Sequence, residues 1–335
     1  MIIAIGVAFA VGFIGWVYVA LLKPPPPKLC GSPNGPPLTS PRVKLSDGRH
    51  LAYKELGVRK EEARYKIVIS HGIYSCKDMD LPISQELMEE IKLYIVIYDR
   101  AGHCESNPYP SRSVKTEAFD IQELADKLEL GTKFYVMGCS VGAYAVWSCL
   151  KYIPHRLLGA SLVVPTVNFW WPSFPSDLSQ RCFAKYPQSY RRLFRIAYYT
   201  PWLMYWWMTQ KWFPNLDNED MLSNSDLGIT KRLMERQDKC NIVQQGEHEC
   251  IHRDLLCNFG KWEFDPMELS NPFLDNKGSF HMWQGSDDRI VPIELNRFIV
   301  QKLPWIQYHE ISDAGHFLVH DAKNLEAIIR ALLIL

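Results

Sequence analysis

The chain has 335 residues with 37 basic and 37 acidic side chains, so its formal net charge at pH 7 is zero. This balance gives no extended positive field, which argues against a nucleic-acid-binding protein. The length suits one large α/β domain with an insertion.

The chain begins with an apolar segment. Residues 1–22 contain no charged side chain. A helix of this length, at about 1.5 Å per residue, spans the roughly 30 Å hydrocarbon core of a bilayer. The alternative is a cleaved signal peptide, which has a basic start and a shorter apolar core of about 7 to 15 residues. We therefore predict a single-pass membrane anchor over residues 1–22.

A proline-rich segment follows at residues 23–41, and its basic residues lie on the far side of the anchor. Because positive charge favours the cytoplasmic side, the rest of the chain should face the cytosol, from the endoplasmic reticulum or another endomembrane. The prolines at 24–27 predict a stiff, extended linker that holds the domain off the bilayer.

The cysteines support the same location. Nine are present, and none forms a Cys-x-x-Cys pair. Free thiols in a reducing compartment are the simplest interpretation. We single out Cys30, Cys76 and Cys139 as the thiols to test for redox sensitivity.

Beyond the linker, the hydrophobic pattern predicts an α/β core in two parts, residues 42–165 and 276–335, separated by an insertion at 166–275. In chain order we predict the following elements: a hairpin at 42–57, strands at 66–70 and 93–98, a helix at 117–130, a strand and helix around residue 140, and a strand at 158–164.

The most informative motif is Gly-x-Ser-x-Gly at residues 138–142, which follows an apolar strand and precedes a helical run. This is the context of a nucleophile elbow, a strained turn that exposes the serine hydroxyl. Gly138 and Gly142 suit this turn because a Cβ there would collide with the neighbouring strand and helix. We predict Ser140 as the nucleophile.

Partners for such a serine follow it in a fixed chain order, first an acid and then a histidine. A predicted strand from residue 278 runs into a loop with two adjacent carboxylates, Asp287 and Asp288. We predict that Asp288, four residues before Pro292, is the acid. Asp287 stays a competitor because the sequence does not show which carboxylate faces the histidine.

The predicted histidine lies after the next strand, at residues 305–312, in an Asp-Ala-Gly-His loop at 313–316. We predict His316 as the general base and keep His320 as an alternative. A neutral imidazole would take the serine proton, and the carboxylate would fix its tautomer and stabilise the imidazolium.

The oxyanion that develops during attack on a carbonyl needs preorganised backbone donors. We assign the N–H groups of Val141, just after the nucleophile, and Ile73, just after His71 and Gly72. A serine nucleophile favours acyl transfer, with no metal and no organic cofactor. An aspartate at the elbow would be needed to attack epoxide or haloalkane carbon.

These motifs, in this order, resemble the α/β-hydrolase superfamily over about residues 42–335. The resemblance implies an α/β-hydrolase fold, with a mostly parallel eight-stranded sheet, helices on both faces and a helical cap at residues 166–275. The sequences at 98–102, 112–120 and 147–155 resemble in particular those of a group of plant hydrolases with an N-terminal membrane segment. Their physiological substrates are not established.

One loop departs from the family pattern. Related chains usually carry Asp-Arg-x-Gly-x-Gly-x-Ser, whereas Cys104 replaces the second glycine here. If this position needs a positive φ, Cys104 is strained. Neither His103 nor Cys104 has a partner at metal-ligand spacing, so we expect an ordinary surface loop.

The predicted cap is rich in tryptophan. It contains seven of the eleven in the chain: Trp170, Trp171, Trp202, Trp206, Trp207, Trp212 and Trp262. Residues 198–212 could form one helix whose aromatic face lines the substrate pocket or lies on the bilayer. Ordinary packing within the cap accounts for most of these side chains.

The sequence thus favours a membrane-anchored serine hydrolase that cleaves an apolar or lipid-like carboxylic ester, in the manner of an esterase or lipase. It implies no nucleic acid and no obligate protein partner. An amidase or aminopeptidase with the same triad would need an acidic cap residue to bind an amine, and Glu219, Asp220 and Glu247 are available. A ligand receptor that keeps the hydrolase fold is the remaining alternative.

Overall fold

The computed structural model describes residues 2–211, 221–236, 241–273 and 278–333. These residues form one eight-stranded sheet with the strand order β1-β2-β4-β3-β5-β6-β7-β8. The strands are β1 Arg42–Lys44, β2 His50–Gly57, β3 Tyr65–Ser70, β4 Leu93–Tyr98, β5 Phe134–Cys139, β6 Leu157–Val163, β7 Phe280–Gly285 and β8 Ile306–Ile311.

The sheet is mostly parallel. Strands β3 to β8 pair in parallel, whereas β2 runs antiparallel to both β1 and β4. β4 and β5 are buried at every position because helices cover both faces of the sheet. The predicted α/β-hydrolase fold with an eight-stranded, mostly parallel sheet is confirmed.

Two hydrophobic layers flank the sheet. On one face pack α3 Val114–Lys127, α4 Ala143–Tyr152 and α10 Ile293–Lys302, and on the other pack α2 Gln85–Glu90 and α11 Ala322–Leu333. α3 begins three residues before the predicted helix because Ser113 and Thr116 form a reciprocal capping box.

A helical insertion separates β6 from β7. Its described helices are α5 Ser176–Ala184, α6 Gln188–Tyr199, α7 Met204–Met208, α8 Asn224–Arg236 and α9 Arg253–Phe259. The prediction of one helix over residues 198–212 is wrong in its described part. α6 ends at Tyr199, since Pro201 cannot continue the hydrogen-bonding pattern, and a 3₁₀ turn separates it from α7.

The N-terminal segment is helical. α1 covers Ile2–Val17 and continues as a π-helical turn at Tyr18–Leu22. Within the described residues, one stretch, Ile5–Leu22, is long and apolar enough to cross a membrane, and it is unburied. A signal sequence would have the same properties, so the anchor stays a prediction.

The proline-rich segment is not a free spacer. The backbone N–H of Lys28 donates to the carbonyl of Gln245 at 3.0 Å, and that of Cys30 donates to the Gln245 side chain at 3.2 Å. Further along, Thr39 and Ser40 each donate a backbone and a hydroxyl hydrogen bond to the Glu105 carboxylate. Residues 28–40 therefore pack onto the domain and are not a free, extended linker, whereas a spacing of the domain from the bilayer stays a prediction.

Replacing Glu105 with Ala removes four acceptor contacts from this segment, and hydrogen bonds to a charged group contribute about 1.5–3 kcal/mol each. We expect Glu105→Ala to make residues 28–40 the earliest site of cleavage in limited proteolysis followed by mass spectrometry. Glu123→Ala is the control, since Glu123 accepts the same two kinds of bond from Ser46 elsewhere. Equal cleavage of both variants would contradict the docking.

Candidate active site

The turn after β5 has the geometry of the predicted elbow. Ser140 has φ = +51° and begins the 3₁₀ turn that leads into α4. A Cβ on Gly138 would lie 2.6 Å from the Gly142 carbonyl oxygen, and one on Gly142 would lie 2.3 Å from that of Ser70. Both distances are too short for a real carbon atom, so two glycines make the strained turn sterically feasible.

The fold brings Ser140, His316 and Asp288 together. Ser140 Oγ lies 2.8 Å from His316 Nε2, and His316 Nδ1 lies 2.9 Å from Asp288 Oδ2. Both distances are those of hydrogen bonds. The three side chains come from the loops after β5, β8 and β7, which meet at the carboxyl edge of the parallel sheet.

The two adjacent carboxylates have different environments. The Asp288 side chain is fully buried, whereas that of Asp287 is 48% exposed and pairs with Arg289. Asp288 Oδ1 accepts two backbone N–H groups at 2.9 Å, and Oδ2 also accepts from Gln284 Nε2 at 2.7 Å. These donors fix the carboxylate toward His316.

The alternative histidine occupies another position. His320 Nδ1 lies 2.7 Å from the carbonyl oxygen of Asp80, and burial lowers its pKa. His320 contributes to the cavity lining, but its described hydrogen bond ties it to the loop after β3.

The pKa of His316 results from opposing effects. Burial alone would lower it, but the charge and hydrogen bond of Asp288, together with the charge of Asp226, outweigh burial and raise the pKa above its ordinary value. Asp226 was not foreseen from the sequence. It lies in α8, and its Oδ1 accepts the backbone N–H of Phe317 at 2.9 Å.

The predicted oxyanion donors border the same cavity. Gly72, Ile73, Ser140 and Val141 all line it. A Cβ on Gly72 would lie 3.5 Å from the Ser140 Cβ, so the turn after β3 lies directly against the serine. Beside it, burial raises the pKa of the Cys139 thiol to about 12, so this cysteine is not a reactive thiolate.

The cavity has a volume of about 1350 Å³. One part of its lining, here called the aromatic wall, consists of Tyr186, Tyr190, Phe194 and Phe259. These rings pack against one another, with Phe194 and Phe259 centroids 4.2 Å apart. Another part, the polar wall, consists of Thr39, Ser40, Lys54, Lys77, Asp78 and Glu105.

The described tryptophans of the insertion do not form the aromatic lining of the pocket that was considered from the sequence. None of the described tryptophans is among the residues that line the cavity. Trp171 and Trp207 are buried, whereas Trp202 is 58% exposed. Ordinary packing is thus the better interpretation for most of them, while Trp212 lies outside the described residues.

The loop with the unusual cysteine is buried, so the predicted surface loop is wrong. His103 and Cys104 are at most 1% exposed, because residues of the insertion and of the proline-rich segment cover them. Cys104 has φ = +43°, the strained conformation considered from the sequence. Potential ligand atoms of Cys76, Asp99 and Cys104 lie within 4.8 Å of one another.

A sequence-spacing argument could not detect that cluster, since Cys76 follows β3 whereas Asp99 and Cys104 lie in the loop after β4. Lys77 Nζ lies 3.4 Å from Asp99 Oδ2 and already balances the carboxylate charge. We therefore assign no metal to it. The neighbouring thiol of Cys30 has a pKa raised to about 11, chiefly by burial. The eight cysteines within the described residues are all free and buried.

Residues 248–252 contain a His-x-x-x-His pattern with Glu249, as in zinc peptidases. His248 and His252 bring their Nδ1 atoms within 3.2 Å, a hydrogen-bonding distance. Glu249, the base in such a site, is paired with Arg253 at 2.8 Å. No third His, Cys, Asp or Glu of the described chain joins the pair, so we interpret it as structural.

The acidic residues considered for amine binding give no support to the amidase or aminopeptidase alternative in the described part of the chain. Glu219 and Asp220 lie outside the described residues. Glu247 is exposed and accepts a hydrogen bond from the Tyr74 hydroxyl at 3.2 Å, and it is not part of the described cavity lining.

The comparisons agree with this architecture. A family model for the alpha/beta hydrolase fold matches residues 65–323, which is most of the chain. The chain belongs to this family. The matched residues include all five predicted site residues. A search of curated proteins finds no match.

Solved structures share the fold at low sequence identity. An esterase from Thermogutta terrifontis with malate bound is 18% identical, with a TM-score of 0.58 over 89% of this chain and 98% of that chain. A monoacylglycerol lipase from Paleococcus ferrophilus is 19% identical, with a TM-score of 0.55 over 85% and 97%. An enol-lactonase from Burkholderia xenovorans LB400 is 16% identical, with a TM-score of 0.56 over 88% and 98%.

The contact of Asp226 with the His316 loop can be tested without an activity assay. Because its negative charge stabilises the imidazolium, Asp226→Asn should lower the pKa of His316 toward its ordinary value. The measurement is an NMR titration of the histidine ring protons. Asp287→Asn, which removes an exposed carboxylate beside Asp288, is the control and should have a smaller effect. An unchanged His316 pKa in Asp226→Asn would contradict this role.

Proposed function

We propose that the protein is a membrane-anchored serine hydrolase that cleaves a carboxylic ester through an acyl-enzyme on Ser140. The observation that carries this proposal is the continuous hydrogen-bonded path from Ser140 Oγ through the His316 ring to Asp288. Such a path activates a hydroxyl that is otherwise a poor nucleophile at neutral pH.

The mechanism follows from the proton positions that the geometry favours. Neutral His316 keeps its proton on Nδ1, which donates a hydrogen bond to Asp288, and Nε2 takes the Ser140 proton to form an imidazolium. The serine oxygen attacks the ester carbonyl, and the backbone N–H groups of Ile73 and Val141 stabilise the oxyanion. His316 then protonates the departing alcohol and activates the water that releases the acid.

The cavity lining supports an amphipathic ester as substrate. The aromatic wall offers apolar surface for an acyl chain, and the polar wall offers partners for a hydroxylated or charged alcohol group. The solved structures with this fold include an esterase, a lactonase and a monoacylglycerol lipase, which are consistent with acyl-ester chemistry. We propose that the insertion, residues 166–275, is the cap over this cavity.

A membrane location would bring the site close to such substrates. The stretch Ile5–Leu22 supports an anchor by length and composition, and the basic residues that follow it favour a cytosolic catalytic domain. In this arrangement, the core parts at residues 42–165 and 276–335 follow the anchor through the proline-rich segment at 23–41. The cysteines of the described residues are all free, which is consistent with a reducing compartment.

The first test is fluorophosphonate labelling and p-nitrophenyl ester hydrolysis by the full chain in detergent. Ser140→Ala should abolish labelling and lower kcat by about 10⁴-fold or more, since the nucleophile is lost. Ser148→Ala is the matched control, because Ser148 lies in α4 with its hydroxyl bound to the Val114 carbonyl.

In the same assay, acyl chains of several lengths would show how much of the aromatic wall the substrate occupies. If the folded wild type neither labels nor hydrolyses any ester, the enzyme proposal fails and ligand binding becomes the better interpretation. Labelling that persists in Ser140→Ala would instead contradict the assignment of the nucleophile.

The raised pKa of His316 predicts the acid limb of the pH profile. The base must be neutral, so kcat/KM should fall as the pH drops through the raised pKa, with a midpoint above about 6.5. The measurement is kcat/KM for a short-chain ester between pH 5 and 9, at constant ionic strength. A midpoint well below 6 would contradict the balance of charges described for His316.

A further inference from the structure

A buried ionic cluster lies behind the turn that carries Ile73. Its members are Arg100, His103, Arg112, Glu117, Tyr144 and Asp254, and all are at most 9% exposed. We infer that Asp254, supplied by the insertion, is a positioning residue that acts through Arg100 to hold the turn at residues 71–73 and thereby the Ile73 oxyanion donor. This inference rests on the proposed hydrolase function.

Arg100 is the link between the cluster and the turn. It follows β4, and its Nη2 donates to the Gly72 carbonyl at 3.1 Å, while its Nη1 donates to the His71 carbonyl and lies 3.2 Å from Ser70 Oγ. The guanidinium therefore binds consecutive residues at the end of β3. Its planar shape fixes the directions of these bonds together.

Asp254 fixes the other side of that guanidinium. Its two carboxylate oxygens accept from Arg100 Nε at 3.1 Å and from Nη2 at 2.5 Å, which is a bidentate pair. The same carboxylate accepts from Arg112 and lies 3.2 Å from His103 Nε2. Asp254 thus joins the insertion, through α9, to two arginines of the core.

The charges of Asp254, Arg100 and Arg112 stabilise this contact between the insertion and the core. Burial alone would raise the pKa of Asp254, but Arg100 and Arg112 outweigh it and hold that pKa well below its usual range. The carboxylate is therefore ionised at neutral pH. Separating one member of a buried ion pair from its partner leaves an uncompensated charge, so other positions of these side chains are strongly destabilised.

The insertion and the loop after β4 also pack closely. Gly102 has φ = +86°, and a Cβ there would lie 2.0 Å from the Glu249 carbonyl oxygen. This contact holds the segment just before α9 against the loop that begins with Arg100. Asp254 is therefore placed by backbone packing as well as by charge.

A small displacement of Gly72 would move the Ile73 N–H relative to Ser140. The turn lies against Ser140, and Ile73 is the next residue in the chain. Loss of one oxyanion donor typically lowers the rate by about 10² to 10³-fold. A turn that is loosened rather than lost should have an effect below this range.

The test compares Asp254→Asn with Glu117→Gln in the full chain. Both replace a fully buried carboxylate by its amide, but the hydrogen bonds described for Glu117 go to Arg112, Tyr98 and Tyr144 and not to Arg100. We expect Asp254→Asn to lower kcat and the fluorophosphonate labelling rate by about 10 to 100-fold with little change in KM. Glu117→Gln should change kcat by less than about threefold.

Hydrogen exchange measured by mass spectrometry gives a readout that is independent of turnover. The peptide that contains residues 70–77 should exchange faster in Asp254→Asn than in Glu117→Gln at the same fraction folded. If Asp254→Asn does not fold, Arg100→Lys replaces it, since lysine keeps the charge but cannot bridge the carboxylate and the turn.

The outcomes separate the two proposals. An inactive, unlabelled wild type removes the proposed function, while faster exchange in the variant would still support the structural link. If the wild type is active, the inference is overturned when Asp254→Asn keeps the wild-type kcat. It is also overturned when Asp254→Asn loses no more kcat than Glu117→Gln and the 70–77 peptide of Asp254→Asn exchanges no faster.

Discussion

The carboxyl edge of the parallel sheet is the constraint on which the site depends. Parallel strands end at the same edge, so the loops that follow β3, β5, β7 and β8 meet there although they are far apart in the sequence. The turn before Ile73, the elbow at Ser140, and the loops of Asp288 and His316 are these four connections. Without this shared edge, the hydrogen-bonded path from serine to carboxylate could not form.

Two glycines make the geometry at that edge sterically possible. Ser140 keeps a left-handed backbone because Gly138 and Gly142 allow β3, β5 and α4 to approach more closely than any side chain would permit. The strain lies where the hydroxyl must project into the cavity. Packing on both sides of the sheet supplies the stability that keeps this conformation populated.

The insertion contributes more than a cover to the cavity. It provides Asp226 behind the histidine loop and Asp254 behind the turn after β3, and both carboxylates are fully buried. One binds a backbone N–H next to His316, and the other binds the guanidinium that holds Gly72. The core and the insertion therefore both contact the loops of the candidate site, which links the shape of the cavity to the arrangement of Ser140 and His316.

Much of this architecture can be predicted from the sequence, because it depends on local signals. Alternating apolar runs define the strands, the spacing of Gly138, Ser140 and Gly142 defines the elbow, and the chain order leads to Asp288 and His316. A strand or a tight turn is dictated by a few neighbouring residues. Such features require no knowledge of distant partners.

Other features needed the tertiary structure. The choice between Asp287 and Asp288 depends on which side chain the fold buries, and the buried position of Cys104 depends on segments far away in the sequence, at Cys30 and Gln245. Asp254 and Asp226 carry no local motif, since their partners are reached only through folding. The sequence by itself therefore determined the fold and the candidate site residues, whereas long-range packing decided how their side chains are held, because burial and charge compensation are properties of the assembled chain.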